Sequence, residues 1–542
     1  MKKTISVIAV VVVCLLASTL CLTACNKEYT LTIDENLQAN IIDDNYRTFY
    51  EIFVGGFSDS DGDGMGDLRG VINRLDYLND GDPNSGNSLG ITGIWLMPIM
   101  PSPSYHKYDV SDYKAVDEKY GTLDDIKELA RECKQRGIKL IIDLVLNHTA
   151  TWNAWFIQAQ RAVQNGDVDN KYYDYYTKST TKVGGWYELA KDPSGTQWYY
   201  EGNFSSSMPE LNYDNPAVKG EVEDIVKFWL NEVGVDGFRL DAVRYIYYND
   251  TSKNVAFLTW FREFCQSVKQ DVYIVGEDWN NSSEELNYYK AIDVFNFDVG
   301  TNVINALQGQ SISFFTNNLV SYYNLATAAR SDAILQPFLS NHDQDRIAGN
   351  AYFTGRGDNG ETTFLSASAK MAANMYLLSP GSPFIYYGEE IGMFGSRGAA
   401  NTDANRRLAM LWGDKDAVAD PEGSTYSKEK QVNGTVKSQL GDANSLFNHY
   451  KLLIAIRNAN PEIARGSVEV VSGLINSSAV GVLKFTYKGS VVYVIHNISN
   501  YEVELDLSSL DVSTLRAIAG EGGGSLTGKT LTLGKKTSVV IK

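Results

Sequence analysis

Ile138-Lys139-Leu140-Ile141-Ile142-Asp143 decides the fold of this 542-residue chain. The run is apolar at all but one position, lacks the alternation of a half-exposed strand, and stops on a carboxylate. A strand that is apolar on both faces must be covered on both. The form recurs in Thr48-Phe49-Tyr50-Glu51-Ile52-Phe53, Ile91-Thr92-Gly93-Ile94-Trp95-Leu96, Val235 to Asp241 and Tyr273 to Glu277. It returns in Val294-Phe295-Asn296-Phe297, Ile334 to Leu339 and Phe384 to Tyr387. Amphipathic stretches, among them Leu123 to Arg136 and Val218 to Val233, lie between them and read as helices. Eight such units predict an α/β fold, a parallel (β/α)8 (TIM) barrel with its helices outside.

Two stretches break this rhythm. Residues 149–212 have no strong periodicity but hold Tyr172, Tyr173, Tyr175, Tyr176, Trp186, Trp198, Tyr199 and Tyr200. That is too long for a simple loop, so an inserted B subdomain after the third strand is expected. From 465 to 542 short alternating strands such as Val492-Tyr493-Val494-Ile495 and Gly-rich turns predict a C-terminal all-β sandwich. The barrel then occupies 45–148 and 213–462.

The amino terminus reads as a processing signal. Lys2 and Lys3 precede an apolar run from Ile5 to Leu22, which ends in Leu22-Thr23-Ala24-Cys25. This fits a lipoprotein signal peptide over 1–24, with Cys25 lipidated and a polar tether over 25–44. The expectation is an exported, monomeric protein, held at the membrane by lipid with its catalytic domain extracellular. Of five cysteines, Cys133 and Cys265 are left for the folded chain, and their helix-like surroundings predict buried free thiols. The net charge of −18 and the absence of a basic stripe argue against nucleic acid. The 33 Tyr and 9 Trp favour neutral, flat substrates such as sugars, which stack on aromatic faces.

In a barrel of this kind the chemistry sits at the C-terminal strand ends. Those ends carry Asp143, Asn147 and His148, then Arg239 with Asp241, then Glu277, then His342 with Asp343. Any one acid there serves equally well as a helix cap or ion-pair partner. Apolar strands that repeatedly finish on an acid weaken that account. Paired carboxylates are what glycosidic cleavage requires, one to attack and one to protonate the leaving oxygen. Of five histidines, His106, His148 and His342 fall at this mouth as donors to sugar hydroxyls, whereas His449 and His496 read as structural. Elsewhere, Asp59-Ser-Asp61-Gly-Asp63-Gly-Met65-Gly-Asp67 sets four carboxylates in nine residues, which suits Ca²⁺ or a solvated Asp/Gly turn. An EF-hand would have Glu at its twelfth position, where this loop has Gly70.

Taken together, Asp143-Leu-Val-Leu-Asn147-His148, Gly237-Phe-Arg239-Leu-Asp241, Gly276-Glu277 and Phe338-Leu-Ser-Asn341-His342-Asp343 resemble the ordered segments of the α-amylase family of glycoside hydrolases. Met208-Pro-Glu-Leu-Asn212 and Pro383-Phe-Ile-Tyr-Tyr-Gly-Glu-Glu390 extend the resemblance, which covers residues 45–542. It implies a retaining mechanism with Asp241 as nucleophile, Glu277 as acid/base and Asp343 as transition-state stabiliser. Arg239 would pair with Asp241, Tyr108 would stack on the attacked glucose beside His148 and His342, and Arg244 would bind sugar on the leaving-group side. The acidic loop resembles a calcium site of the family, with Asp59, Asp61, Asp63, Asp67 and the Met65 carbonyl as ligands. At a second family calcium site Asn147 is present, but Glu210 stands where Asp is usual and Tyr245 where many members have His.

Tyr105 separates the activities within the family. The resemblance places an acid here in exo-α-glucosidases, which caps the terminal glucose; Tyr105-His106 is the pattern of many α-amylases. Lys107 replaces the usual Gly and departs from both. The expected activity is therefore endo-hydrolysis of α-1,4 bonds in starch, maltodextrins and related glucans, with Trp186 and Trp198 of the insertion stacking on the chain. An α-glucosidase, a neopullulanase or cyclomaltodextrinase-type enzyme, and a non-catalytic glucan-binding protein are the alternatives.

Overall fold

The computed structural model describes residues 41–279, 282–356, 362–416 and 418–542. The expected signal peptide, Cys25 and nearly all of the tether lie outside them. The barrel strands are β1 (Phe49–Ile52), β2 (Gly93–Leu96), β3 (Lys139–Leu144), β4 (Gly237–Leu240), β5 (Tyr273–Gly276), β6 (Asp293–Asn296), β7 (Gln336–Pro337) and β8 (Phe384–Tyr386). They form one sheet, ordered β7-β6-β5-β4-β3-β2-β1-β8, with parallel neighbours throughout. A single parallel bridge, Phe338 to Phe384, joins the two outer strands. The strands are shorter than the apolar runs that announce them. Phe297 already belongs to a helix, and β7 is the shortest because Pro337 has no N–H to continue a ladder.

Aromatic side chains fill the barrel axis. Phe49, Trp95, Tyr273, Phe295, Phe338 and Phe384 form one buried cluster with Ile141 and Val275. Phe49 stacks on Phe384 with ring centroids 4.6 Å apart, and Phe295 meets Phe384 edge-on at 4.9 Å. Such pairs add about 0.5–1.5 kcal/mol each to the burial of the rings.

Helices cover the outside. Helix α1 (Leu123–Gln135) starts at a capping box between Thr122 and Asp125 and buries Ile126, Leu129, Ala130 and Cys133 against the sheet. Pro at the first turn opens α2 (Pro216–Lys227), and a π-helical turn over Phe228–Val233 extends it to Gly234, whose φ of 91° ends it. Asp250 caps α3 (Thr251–Val268). The helices α4 (Ser282–Tyr288), α5 (Phe297–Gly309) and α6 (Ser313–Ala329) follow β5 and β6. Cys133 and Cys265 are free and buried, and burial pushes both thiols well above their ordinary range. Among the described residues no helix is long and apolar enough to cross a membrane.

The insertion carries the helix Ala154–Asn165 and a three-stranded antiparallel sheet, packed around Phe156, Tyr176 and Tyr200. Its return strand rejoins the barrel by a bridge between His148 and Glu210. The last barrel helix ends at Arg465, and the C-terminal domain begins with the strand Ser467–Val470. Five- and three-stranded antiparallel sheets pack face to face there, with Val482, Tyr493 and Ile495 of one against Leu505, Leu531 and Leu533 of the other.

Candidate active site

Arg239, on β4, is the centre of the site. Its side chain is almost fully buried and lies over Trp95, 5.1 Å from the ring centroid. One arm of the guanidinium, Nη1, meets Asp143 at 2.9 Å and Asp241 at 2.7 Å; the other, Nη2, meets Glu277 at 3.1 Å. Register puts these groups side by side, since Asp143 pairs with Arg239 across β3 and β4, and Leu240 pairs with Gly276 across β4 and β5. After Asp241 the chain turns sharply at Ala242, a non-glycine residue at φ 48°, and its N–H donates to Glu277 Oε2 at 3.2 Å. Left-handed backbone of this kind costs about 1–2 kcal/mol and is tolerated where the surroundings over-determine it.

Electrostatics separates the acids. Burial raises the Glu277 carboxyl to about 7, against the pull of Arg239 and with the help of Asp241 and Asp343. Burial likewise lifts Asp143 to about 7. Asp343 goes the other way: burial would raise it, but His342 and Arg407 hold it well below the ordinary carboxylate range. His342 Nε2 is 3.0 Å from Asp343 Oδ2, and Arg407 Nη2 is 2.8 Å from Asp343 Oδ1. The other imidazole nitrogen, Nδ1, lies 2.5 Å from Glu51 on β1. Burial opposes the imidazolium, yet Asp343 and Glu51 raise it to about 9.

The loop Ser102–Asp109 supplies the facing wall. Ser102 and Ser104 hydroxyls both donate to Asp109, which pins the loop. Tyr108 donates to Asp143 at 3.1 Å, lies 2.7 Å from His342 Nε2, and stacks on the His342 ring at 5.6 Å. The N–H of Tyr108 donates to His106 Nδ1, leaving the proton of a neutral imidazole on Nε2, where it can reach a ligand. His148 Nε2 is 3.2 Å from the Tyr108 carbonyl. Burial lowers both His106 and His148. His106, Tyr108 and His148 line an open cleft of 570 Å³ together with Asp241, Glu277 and Asp343. His342 and Arg239, expected to bind sugar, are fully buried and do not line it.

One buried cation flanked by two carboxylates at neighbouring strand ends, with one of them holding its proton near neutrality, is the equipment of a glycosidase. The family model for the α-amylase catalytic domain matches residues 51–466. This chain belongs to the α-amylase family. It is 38% identical over 468 residues to alpha-amylase 3 of Dictyoglomus thermophilum, covering 84% of this chain and 85% of that one. The solved structure of Eubacterium rectale Amy13B superposes with a TM-score of 0.85 at 40% identity, covering 95% of this chain and 99% of that one. An oligo-1,6-glucosidase of Parageobacillus thermoglucosidasius is 28% identical over 557 residues, covering 85% of this chain and 94% of its own. The protein is thus a glycoside hydrolase of α-glucans.

Within the family frame, Lys107 is explained. It occupies a left-handed position at φ 62°, where glycine sits without strain. Its side chain turns inward, buried over Tyr120 and 2.5 Å from Asp117, so it does not line the cleft. Burial lowers its ammonium, against the Asp117 contact. Arg244 is also absent from the cleft wall; its Nη1 donates to the Trp279 carbonyl at 3.0 Å. The stacking residues expected in the insertion differ as well. Trp198 donates to Asp192 and packs beside Tyr173, and neither it nor Trp186 lines the cleft. The insertion contributes Phe204 and Met208 instead.

Glu51, Arg407, Trp279 and Phe204 are site residues that the sequence reading missed. Glu51 lies inside an apolar strand, and Arg407 lies in a loop with no periodic context. Trp279 offered a signal, an aromatic two residues past a strand-end acid; it is 50% exposed and stacks on Phe297 at 5.0 Å.

In the acidic loop, carboxylate oxygens of Asp59, Asp61 and Asp67 lie within 4.8 Å of one another. That spacing accommodates a cation with oxygen ligands at 2.3–2.6 Å. Asp63 stands outside this group and accepts from the Met65 N–H. Backbone N–H groups of Gly62, Gly64 and Asp61 hold Asp59 below the ordinary range, against a burial effect that raises it. At the second family site the Asn147 amide donates to Glu210 at 2.5 Å, and burial pushes Glu210 well up.

Proposed function

We propose that the protein is a retaining, endo-acting α-1,4-glucan hydrolase. The observation that carries this reading is the pair of carboxyls on the two arms of Arg239, with Glu277 protonated up to about pH 7. Arg239 keeps the two groups close, as retention requires at roughly 5–5.5 Å. Asp241 attacks the anomeric carbon while Glu277 gives its proton to the departing glycosidic oxygen, so one C–O bond forms as the other breaks. Glu277, now a carboxylate, then takes a proton from water as that water displaces Asp241 and restores the free enzyme. Asp343, held anionic by His342 and Arg407, faces the positive charge that develops on the sugar ring.

Endo action follows from the open cleft and from Tyr105, whose phenol lies against Arg407 where an acid would cap a chain end. Amylose should lose viscosity and iodine colour well before reducing ends accumulate, with maltose and maltotriose released ahead of glucose and p-nitrophenyl α-glucoside a poor substrate. Glucose as the sole early product refutes endo action, and an inverted anomer by NMR refutes retention.

Ca²⁺ fits the acidic loop, where Asp59, Asp61 and Asp67 would hold it and tie the loop to the first turn of the helix that Asp67 caps. The amino-terminal sequence supports lipidation at Cys25, membrane anchoring and an extracellular catalytic domain. Cys25→Ala should abolish incorporation of labelled fatty acid and release the enzyme. A monomer in solution, read by sedimentation, completes the proposal.

A further inference from the structure

Beside the catalytic cleft lies a second cavity of 520 Å³, between α4, α5 and α6. The two share a wall. Trp279 lines the cleft and stacks on Phe297, the first residue of α5, while the neighbouring Asn296 lines the second cavity. The lining is rich in amides, with Asn302, Asn305 and Asn318 joining Asn296, and the ring of Phe314 at its edge is 57% exposed. Asn296 is only 2% exposed, and its Oδ1 is buried without a hydrogen-bond partner.

A buried amide oxygen without a partner costs about 1–3 kcal/mol. The Asn296 Oδ1 has almost no accessible surface, so a ligand in the cavity would reach it only through a small shift of the side chain. Amides that both donate and accept, around one open aromatic face, match a ring that is apolar on its faces and hydroxylated around its rim. Charged groups contribute little here. Asp298 is the only ionisable side chain among the lining residues apart from the phenol of Tyr322, so an ionic ligand has no cationic partner. Tyr322 itself is committed, donating to the buried Glu285 at 2.6 Å.

We propose that this cavity is a second binding site for α-glucan, separate from the site of cleavage and adjoining it across the Trp279–Phe297 stack. Glucosyl units would stack on Phe314 and hydrogen-bond the asparagine amides. The enzyme would then hold a polymer at two points, and rebinding after each cut would be favoured by the high local concentration of chain. The inference rests on the α-glucan reading of the cleft.

The test is titration of maltotriose into the Glu277→Gln protein, whose turnover is slowed by about 10²–10⁴-fold, within a time short against that residual hydrolysis. Two sites per chain are expected. Adding Phe314→Ala and Asn305→Ala, both at exposed positions, should weaken the second site roughly tenfold or more by removing a stacked ring and a hydrogen bond. Fewer than two sites in the parent, or two undiminished sites in the variant, overturns the inference. Amylose hydrolysis by the wild-type enzyme is measured in parallel: its absence refutes the cleft reading, whereas hydrolysis with only one binding site removes the second site alone.

Discussion

If Glu277 is the proton donor proposed above, its proton should set the alkaline limb of activity. Burial holds this carboxyl at about 7, and only the protonated form can assist departure of the leaving sugar. With that value, roughly 91% of molecules carry the proton at pH 6 and roughly 9% at pH 8, so kcat/KM should fall about tenfold between them. The measurement is initial rate on a soluble maltooligosaccharide, well below KM, from pH 5 to 9. Asp343 is one of the groups that raise Glu277, so Asp343→Asn should move the limb to lower pH in whatever activity remains. Replacing the acid by Glu277→Gln should cost about 10²–10⁴-fold, with the loss smallest on substrates whose leaving group needs no proton. A rate that stays level to pH 9, or a limb that Asp343→Asn leaves in place, would refute the assignment of Glu277 as the proton donor.

Other expectations concern stability. His342 is raised in the folded protein from 6.5 to about 9, so its contribution is fully present below pH 6.5 and is lost as pH rises through 9. Denaturant titrations should show about 3 kcal/mol of this loss in the wild type and little of it in His342→Gln. Lys107→Gly relieves roughly 1–2 kcal/mol of left-handed strain but strands Asp117, at about 3–5 kcal/mol, so the variant should be less stable by about 1–4 kcal/mol. A stabilised Lys107→Gly protein would show that the ion pair does not hold the loop. Calcium at 100 times its dissociation constant should add about 2.7 kcal/mol, read as a higher melting temperature that EDTA reverses. Asp59→Ala should abolish that response, and Asp63→Ala should diminish it less, because Asp63 stands outside the group of three.

The barrel and its acids were legible because each strand is a short apolar run that stops at a polar residue with a chemical use. Asp241, Glu277 and Asp343 are read from this pattern alone, and the structure brings all three to one cleft. Residues that act on them from elsewhere were not legible. Arg407 reaches Asp343 from a loop 64 positions along the chain, and Glu51 reaches His342 across 291. Tertiary proximity of that kind leaves no local periodicity. Aromatic content misled for a related reason: Trp198 and Phe204 are close in sequence, yet one packs within the insertion and the other faces the cleft, and composition alone does not say which way a ring turns. Lys107 read as an oddity in the cleft because the sequence shows a charge but not the buried Asp117 that answers it.

The seam between β7 and β8 has a consequence for aim. One bridge and a pile of phenyl rings close the barrel there, where a regular ladder would supply several rungs. A fully laddered strand would keep residues beyond Phe338 extended along the wall, each side chain alternating between inside and out. Freed from that alternation, the chain bends at once: the Asp343 N–H donates to the Asn341 side chain at 3.0 Å, and the Gln344 N–H to the Asn341 carbonyl at 3.2 Å. That bend lets two consecutive residues serve one point: Asp343 lines the cleft, and His342, buried beneath it, holds its carboxylate. Main-chain regularity is given up at this seam, and in return a cleft carboxylate has its buried cationic partner as its neighbour in the chain.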